Sequence, residues 1–204
     1  LFPNYRTRPL TLGYTGRFQK QWGQWGYNLE FAQNLSSGGG NDNASYLANR
    51  AGASTNWNAL RYGLDIALPM PSEWLFMGRL RGQRSNDALV PGEQFGIGGA
   101  LSVRGVPERV LAGDSGLWGN LEFWTPALIE NTRILVFYDF GEIRRHNDAL
   151  LPAATLTSFG LGVRWSLGKQ FSASLDLGHV LSGHNKLPAG TSRDRAHLNI
   201  SYQF

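Results

Sequence analysis

The chain has 204 residues, 26 of them glycine and seven tryptophan, with a formal net charge of +4. The absence of cysteine excludes disulfides, thiolate catalysis and cysteine-based zinc sites, and it suits a compartment in which stray thiols would oxidise. Nucleic acid is not expected as a partner, because the arginines are dispersed singly rather than in a basic run. No apolar run approaches the ~18 to 20 residues of a membrane-spanning helix, which leaves one membrane class open, the β-barrel.

Alternation of apolar and polar residues predicts nine strands along the chain. In the last of them, Ala196, Leu198 and Ile200 fall on one face and Arg195 and His197 on the other, which is the period of a strand between two different media. No segment has a convincing helical period. In chain order, the predicted strands are 9–18, 25–34, 59–68, 75–83, 117–124, 134–142, 158–168, 171–178 and 194–204.

The polar face of these strands carries glycine, serine, asparagine and isolated charges of both signs, rather than the lysine and glutamate of a solvated surface. Such a face indicates a water-filled lumen, with lipid on the opposite face. Aromatic residues near the strand ends fit the girdles of a membrane barrel, although burial in a soluble core is the alternative. They are Trp25, Trp74, Trp124, Trp165, Tyr202 and Phe204.

Short and long connections alternate along the chain, as periplasmic turns and external loops do in outer-membrane barrels. The short ones lie near 20–24, 71–74, 129–133 and 168–170, and the long ones near 36–56, 84–115, 146–154 and 182–194. An odd number of antiparallel strands cannot close into an even-stranded barrel, and an open edge in lipid leaves amides unpaired. We therefore predict an all-β fold in which residues 1–204 form the C-terminal part of a larger transmembrane antiparallel β-barrel of the bacterial outer membrane.

The tetrapeptide "GDSG" at residues 113–116 also matches the way a trypsin-like protease presents its nucleophilic serine. In that arrangement the histidine and the carboxylate precede the serine, but the four histidines of this chain all follow Ser115. We predict that Ser115 helps to start a strand and that the chain is not an enzyme. His179 and His197 lack acids at ligand spacing, so no metal site and no cofactor are predicted.

The segment "FGIGGALSVRGVPERVLAGDSGLWGNLEF" resembles the sixth external loop of two-partner secretion transporters, the TpsB family of haemolysin activation/secretion and filamentous-haemagglutinin-type transporters. In that family a V-R-G-Y/F motif tips a loop that folds back into the lumen. The motif here is Val103, Arg104, Gly105 and Val106, so valine replaces the aromatic residue and the packing of that ring must be weaker or supplied elsewhere. Glu108, Gly113 and Asp114 are interpreted as loop-organising residues.

The resemblance also implies a partner for the motif arginine. In the family this arginine meets an aspartate of an F-x-D-x-G motif on the inner wall, and "FYDFG" here supplies Phe137, Asp139 and Gly141, all on the predicted lumenal face. A buried guanidinium needs a planar carboxylate partner, because an unpaired charge away from water costs several kcal/mol. Arg104 and Asp139 are therefore predicted to latch the loop, residues 84–115, inside the barrel.

Five predicted strands follow the loop, as in the sixteen-stranded barrels of that family. The resemblance implies that the chain holds the last nine strands. The first seven strands, the periplasmic POTRA domains and an N-terminal plug helix would then lie outside it.

Further charges on the predicted lumenal face either line a path for an extended polypeptide or neutralise each other across strands. These charges are Arg17, Glu30, Arg61, Asp65, Arg79, Arg81, Glu122, Arg164, Asp176 and Arg195.

The resemblance implies a translocation pore that secretes an unfolded exoprotein partner of the adhesin or haemolysin type. The expected partners are that exoprotein and outer-membrane lipids, with no small-molecule substrate. The alternatives are a barrel-assembly insertase, which would use the same loop at the seam between first and last strands, and a passive porin or barrel enzyme. The "GDSG" that follows "VRG" favours the transporter over the insertase, and a porin needs neither "VRG" nor "FYDFG".

Overall fold

A computed structural model describes residues 4–146, 152–168 and 170–203. Over these residues all nine predicted strands are present, and they form one antiparallel sheet in which every strand pairs with the strands next to it in that order. Its members are β1 Pro9–Lys20, β2 Gly23–Asn34, β3 Asn58–Pro69, β4 Leu75–Arg84, β7 Ser115–Trp124, β8 Thr132–Arg144, β9 Ala153–Leu167, β10 Phe171–Ser182 and β11 Asp194–Tyr202. Two short strands, β5 Phe95–Ile97 and β6 Leu111–Gly113, form a separate pair. The all-β prediction is confirmed.

The two faces of the sheet differ as the alternation predicts. In β8, Leu135, Phe137 and Asp139 are buried, whereas Val136 and Tyr138 are exposed. The exposed face carries large apolar side chains on every strand of the sheet except β4. An apolar face of this extent suits lipid, because soluble proteins rarely leave such a surface open to water.

Aromatic pairs lie near the short-turn end of the sheet, on the apolar face. The Trp25 ring stacks on Phe18 at 4.3 Å between centroids, and the Trp165 ring meets Phe171 edge-on at 5.2 Å. Trp74 likewise stacks on Phe123 at 4.9 Å. Phe204, predicted to belong to the same girdle, lies outside the described residues.

The prediction that Trp124 belongs to the girdle is wrong. Its indole Nε1 donates to Glu122 Oε2 at 2.8 Å, and its ring centroid lies 5.4 Å from the guanidinium carbon of Arg164. Both contacts place Trp124 on the polar face of β7, because residues two apart in a strand share a face. A position near a strand end was therefore not enough to assign this ring to lipid.

The connections at one end of the sheet are long and carry structure of their own. The long connection at 36–56 contains the helix α1, Asn43–Asn49, which begins where Asp42 Oδ1 accepts a hydrogen bond from the Ser45 amide at 2.9 Å. A short 3-10 turn occupies His184–Lys186 at the same end, and another, Pro71–Glu73, lies in a short connection at the opposite end. An apolar group that we call the long-loop cluster packs under α1: Ala32, Tyr46, Ala53, Trp57, Ala59, Leu89 and Val90.

The longest connection between sheet strands folds back over the polar face. Strands β5 and β6 pair antiparallel, with Phe95 opposite Gly113, and we call residues 95–113 the hairpin loop. Its apolar side chains form a second cluster with the polar face of β8, β9 and β10: Ile97, Val103, Val106, Leu111, Ile143, Ala154, Leu156 and Val180. Among the described residues, no helix is long and apolar enough to cross a membrane.

Candidate functional site

Arg104 lies at the tip of the hairpin loop, with only 2% of its side chain exposed. Its Nε donates to Asp139 Oδ2 at 2.8 Å and its Nη2 to Asp139 Oδ1 at 2.7 Å, which is the two-pronged geometry that suits a guanidinium and a carboxylate. The Arg104 amide adds a third hydrogen bond to Asp139 Oδ2 at 3.0 Å. The structure thus brings the two predicted latch residues together through three hydrogen bonds.

Two more carboxylates of the described sheet surround the same guanidinium. Arg104 Nη1 donates to Glu122 Oε1 on β7 at 2.7 Å and lies 3.6 Å from Asp176 Oδ1 on β10. Asp176 in turn binds both terminal nitrogens of Arg164, at 2.8 and 3.0 Å. The described site contains two guanidiniums, those of Arg104 and Arg164, and three carboxylates, those of Asp139, Glu122 and Asp176. It therefore has one negative charge in excess, and release of Arg104 would increase that excess.

Neutral groups complete the surroundings of the pair. Asn120 Nδ2 donates to Asp139 Oδ1 at 2.8 Å and also to the Ser102 carbonyl, so it joins the wall to the hairpin loop directly. The Phe137 ring centroid lies 3.5 Å from the guanidinium carbon of Arg104, within range of a cation–π interaction. The predicted role of Phe137 stays a prediction, but its contact with Arg104 is direct.

The hairpin loop reaches well down the wall. Asp139 is five residues from Arg144, where β8 ends at the long-loop end, and at ~3.3 Å per residue this places the Arg104 pair about 17 Å along the strand. Gly141 makes room for the loop, because a Cβ there would lie 3.0 Å from Val103 Cγ2 and 3.1 Å from Ile97 Cδ1. A methyl group at 141 would force these two side chains to shift by a few tenths of an ångström.

Val106, which stands where the family has an aromatic residue, is fully buried. It packs in the second cluster, whose wall side includes Leu156 and Val180. The packing is thus supplied by aliphatic neighbours rather than by a ring, and a larger side chain would have to displace them.

Glu108 and Gly113 shape the hairpin loop at different points. Glu108 Oε1 accepts a hydrogen bond from the Ala100 amide at 2.7 Å and so closes the turn at the tip. A Cβ on Gly113 would lie 2.7 Å from the Arg144 carbonyl oxygen, so glycine lets β6 approach the end of β8. Both contacts agree with the interpretation of these residues as loop-organising, which stays a prediction.

Asp114 connects three of the long loops. Its carboxylate pairs with both terminal nitrogens of Arg50, with Nη2 to Oδ2 at 2.7 Å, and it accepts the Leu89 amide at 2.8 Å and the His146 amide at 2.6 Å. Burial alone would raise the pKa of Asp114, but the hydrogen bonds from Arg50 and the two amides outweigh it and hold that pKa below its usual range. The sequence did not point to Arg50, which lies in a segment predicted only as a loop.

Ser115 opens β7, as predicted, and its hydroxyl is occupied. Ser115 Oγ accepts a hydrogen bond from the Ser85 amide at 2.9 Å and donates to the Ser85 carbonyl at 2.9 Å. These two bonds tie the start of the long connection to its end. The hydroxyl therefore has a structural task at the base of the loop.

Several other charges of the polar face neutralise each other across strands. Arg61 pairs with Glu30 at 3.0 Å and with Glu93 at 2.9 Å, and Asp65 pairs with Arg81 at 2.7 Å. Over the part of the chain that the structure describes, no group of three or more His, Cys, Asp or Glu side chains is placed to hold a metal ion.

The sequence matches the family of haemolysin secretion/activation proteins, ShlB/FhaC/HecB, over residues 2–165. The chain belongs to this family. A curated relative, the outer membrane transporter CdiB of Dickeya dadantii strain 3937, is 30% identical over 105 residues, which cover 48% of this chain and 19% of that protein. The predictions of the TpsB family and of the outer membrane are thereby confirmed.

Solved structures agree on the fold. CdiB from Escherichia coli matches with a TM-score of 0.81 at 18% identity over 97% of this chain and 37% of its own. CdiB from Acinetobacter baumannii matches with a TM-score of 0.76 at 20% identity, over 97% of this chain and 34% of its own. BamA from Haemophilus ducreyi lacking POTRA domains 1–3 matches with a TM-score of 0.68 at 15% identity, over 95% of this chain and 42% of its own. The chain thus spans less than half the length of each of these proteins.

Proposed function

We propose that the complete protein is an outer-membrane translocation pore that secretes an unfolded exoprotein partner of the adhesin or haemolysin type. In this proposal residues 1–204 form the last nine strands of a sixteen-stranded barrel whose apolar face contacts lipid. Seven further strands and POTRA domains would precede them. Family membership supports the proposal, and so does the extent of the relatives beyond the matched region.

The observation that supports the proposal most directly is the position and pairing of the Arg104 side chain. A passive channel has no need of a loop that is folded over its polar wall and attached there by a buried guanidinium with three carboxylate neighbours. Breaking a buried ion pair by removing one partner costs about 3–5 kcal/mol, so the loop stays in place until other interactions replace the pair. A polypeptide entering the lumen supplies such interactions, which makes the hairpin loop a gate that opens for its substrate.

Transport through this pore uses no nucleotide in the outer membrane. The POTRA domains bind the N-terminal secretion domain of the exoprotein, the plug helix and the hairpin loop yield, and the chain threads outward and folds outside. Cross-strand pairs such as Arg81–Asp65, 2.7 Å apart, keep the wall close to neutral, so an extended chain of either charge can pass along it.

The test is single-channel conductance and partner secretion by the full-length protein carrying Arg104→Ala, Asp139→Ala or the exchange of the two residues. We expect each single change to abolish secretion or to increase spontaneous opening. The exchange restores function in part only, because an aspartate at position 104 would face Glu122 and Asp176. The matched control is Arg81→Ala, which removes an arginine–aspartate pair of the same face outside the hairpin loop. Unchanged secretion and conductance in both single variants would refute the gate.

A second candidate function, insertion of other barrels into the membrane, is favoured by the fold shared with BamA. Depletion of the protein followed by quantification of outer-membrane barrels separates the two. A translocation pore leaves their amounts unchanged and retains its exoprotein in the periplasm, whereas an insertase lowers them.

A further inference from the structure

The tip of the hairpin loop has a second attachment, on the last two strands. The Gly105 amide donates to His197 Nε2 on β11 at 3.2 Å. Beside it, Gly105 lies against Gly178 on β10, where a Cβ at 178 would come within 2.6 Å of the Gly105 nitrogen. Gly105 itself adopts φ 95°, a conformation that favours glycine. The contact is thus built from a histidine acceptor and two glycines.

The direction of this hydrogen bond fixes the charge of the imidazole. Nε2 accepts a proton only when the ring is neutral and its proton sits on Nδ1, because both nitrogens of an imidazolium are donors. Protonation of Nε2 would place its N–H against the N–H of Gly105 and would add a positive charge to the site. The charged groups around His197 are Asp176 on β10, Arg195 on its own strand, and Glu108 and Arg104 of the hairpin loop.

We propose that His197 is a positioning residue of the gate, which holds the tip of the hairpin loop against β10 and β11 only while its imidazole is neutral. This contact does not involve the carboxylates around Arg104, because its donor is the backbone amide of Gly105. Acidification that protonates the imidazole removes the acceptor of the Gly105 amide and so loosens the tip. This inference rests on the proposed function, in which displacement of the loop opens the pore.

Ser158 offers a reporter of the loop position. It pairs with Asp139 across β9 and β8, it is fully buried, and its hydroxyl finds no partner among the described residues. Ser158→Cys therefore removes no hydrogen bond, and the chain has no cysteine of its own. A charged thiol reagent reaches this position when the hairpin loop leaves the wall.

The experiment measures labelling of the Ser158→Cys thiol in the full-length protein, free of other cysteines and in lipid vesicles, at pH 7.5 and 5.5. Rates are divided by those of Leu101→Cys, a position 71% exposed, because thiol reactivity itself varies with pH. With His197 present, we expect relative labelling to rise roughly fivefold at the lower pH, the effect of losing about one hydrogen bond. His197→Ala should give the higher rate at both pH values.

Two further variants distinguish a positioning role from a general loss of structure. His197→Gln places an amide oxygen where Nε2 was, so labelling should be slow at both pH values. His179→Gln is the matched control, because His179 lies on β10 and pairs with Asp194 at 2.7 Å rather than with the loop, and it should keep the pH response. Gly178→Ala should raise labelling at both pH values by displacing the tip.

Slow labelling of His197→Ala at pH 7.5, or an unchanged pH response in His197→Gln, would overturn the proposal. Labelling reports where the loop lies whether or not the protein secretes. Unchanged secretion and conductance in the Arg104→Ala and Asp139→Ala variants, with a normal His197 response, would therefore count against the proposed function alone.

Discussion

Two arginine–aspartate pairs hold the hairpin loop, Arg104–Asp139 at its tip and Arg50–Asp114 at its base, and they are built in opposite ways. At the tip the loop supplies the cation and the wall supplies the carboxylates, with Glu122 as a second partner at 2.7 Å. At the base the carboxylate directly follows the loop, and Arg50 reaches it from another long loop. Two backbone amides also donate to Asp114, whereas the carboxylates at the tip face a single residue of the loop.

This difference indicates which attachment can be released. When the tip leaves the wall, Arg104 takes its charge into the water-filled lumen, and Asp139 and Asp176 keep Asn120 and Arg164 as partners. When the base breaks, the Leu89 and His146 amides lose their acceptor together, although Arg50 keeps the Leu89 carbonyl at 2.6 Å, and unpaired buried groups are expensive. The base is therefore a fixed hinge point and the tip a releasable contact. Separate substitutions at the two sites can test this division between a fixed base and a releasable tip.

The largest effect is expected from Asp139→Asn. The amide keeps the size of the carboxylate but removes its charge and turns one acceptor into a donor that faces Arg104, so charge-assisted hydrogen bonds worth about 1.5–3 kcal/mol each are lost. Labelling of the Ser158→Cys thiol at pH 7.5 should rise at least roughly tenfold. Asp65→Asn, which weakens the Arg81 pair on the same face, is the control. Equal labelling of the two variants would mean that the tip is not held by Asp139.

A smaller and differently located effect is expected from Asp114→Asn. Hydrogen exchange of the Leu89 and His146 amides, which donate to Asp114 at 2.8 and 2.6 Å, should accelerate roughly tenfold. Labelling of the Ser158→Cys thiol should not change, because the tip keeps its own partners. Asp42→Asn is a suitable control, since asparagine caps a helix as well as aspartate does. Faster thiol labelling in Asp114→Asn would show that base and tip are one unit.

The two attachments should also respond to pH in separate ranges. Because the pKa of Asp114 lies below its usual range, its contribution to stability is complete above the ordinary aspartate value of about 3.9 and is lost as pH falls further. Exchange of the Leu89 and His146 amides, corrected for intrinsic rates, should therefore stay constant from pH 7.5 to about 4. The tip should loosen at a higher pH than the base, because an imidazole gains its proton at a higher pH than an aspartate carboxylate does. Loosening of both attachments in one pH range would contradict the division.

The sheet was predictable from sequence and the network around Arg104 was not. A strand between lipid and a lumen must alternate at every residue, so the period of two appears even in a short stretch. Helix α1, Asn43–Asn49, is too short to display a period of its own. Glu122 and Asp176 were recognised as lumenal, but their convergence depends on how deep the hairpin loop reaches, which no alternation encodes. The partnership of Arg104 with Asp139 came from the family resemblance.

The smallest effect is expected from Ser115→Ala, at the same base as Asp114. The change removes both hydrogen bonds to Ser85 and should lower the free energy of unfolding by about 1 kcal/mol, read as a lower midpoint in heat- or urea-induced unfolding of the barrel. Secretion should stay at the wild-type level, since the hydroxyl performs no chemistry. Ser158→Ala is the control, because that hydroxyl has no hydrogen bond to the described residues and its loss should leave the midpoint unchanged. Loss of secretion by Ser115→Ala with an unchanged midpoint would mean that Ser115 acts in transport itself, and the base of the loop could then no longer be treated as a fixed hinge point.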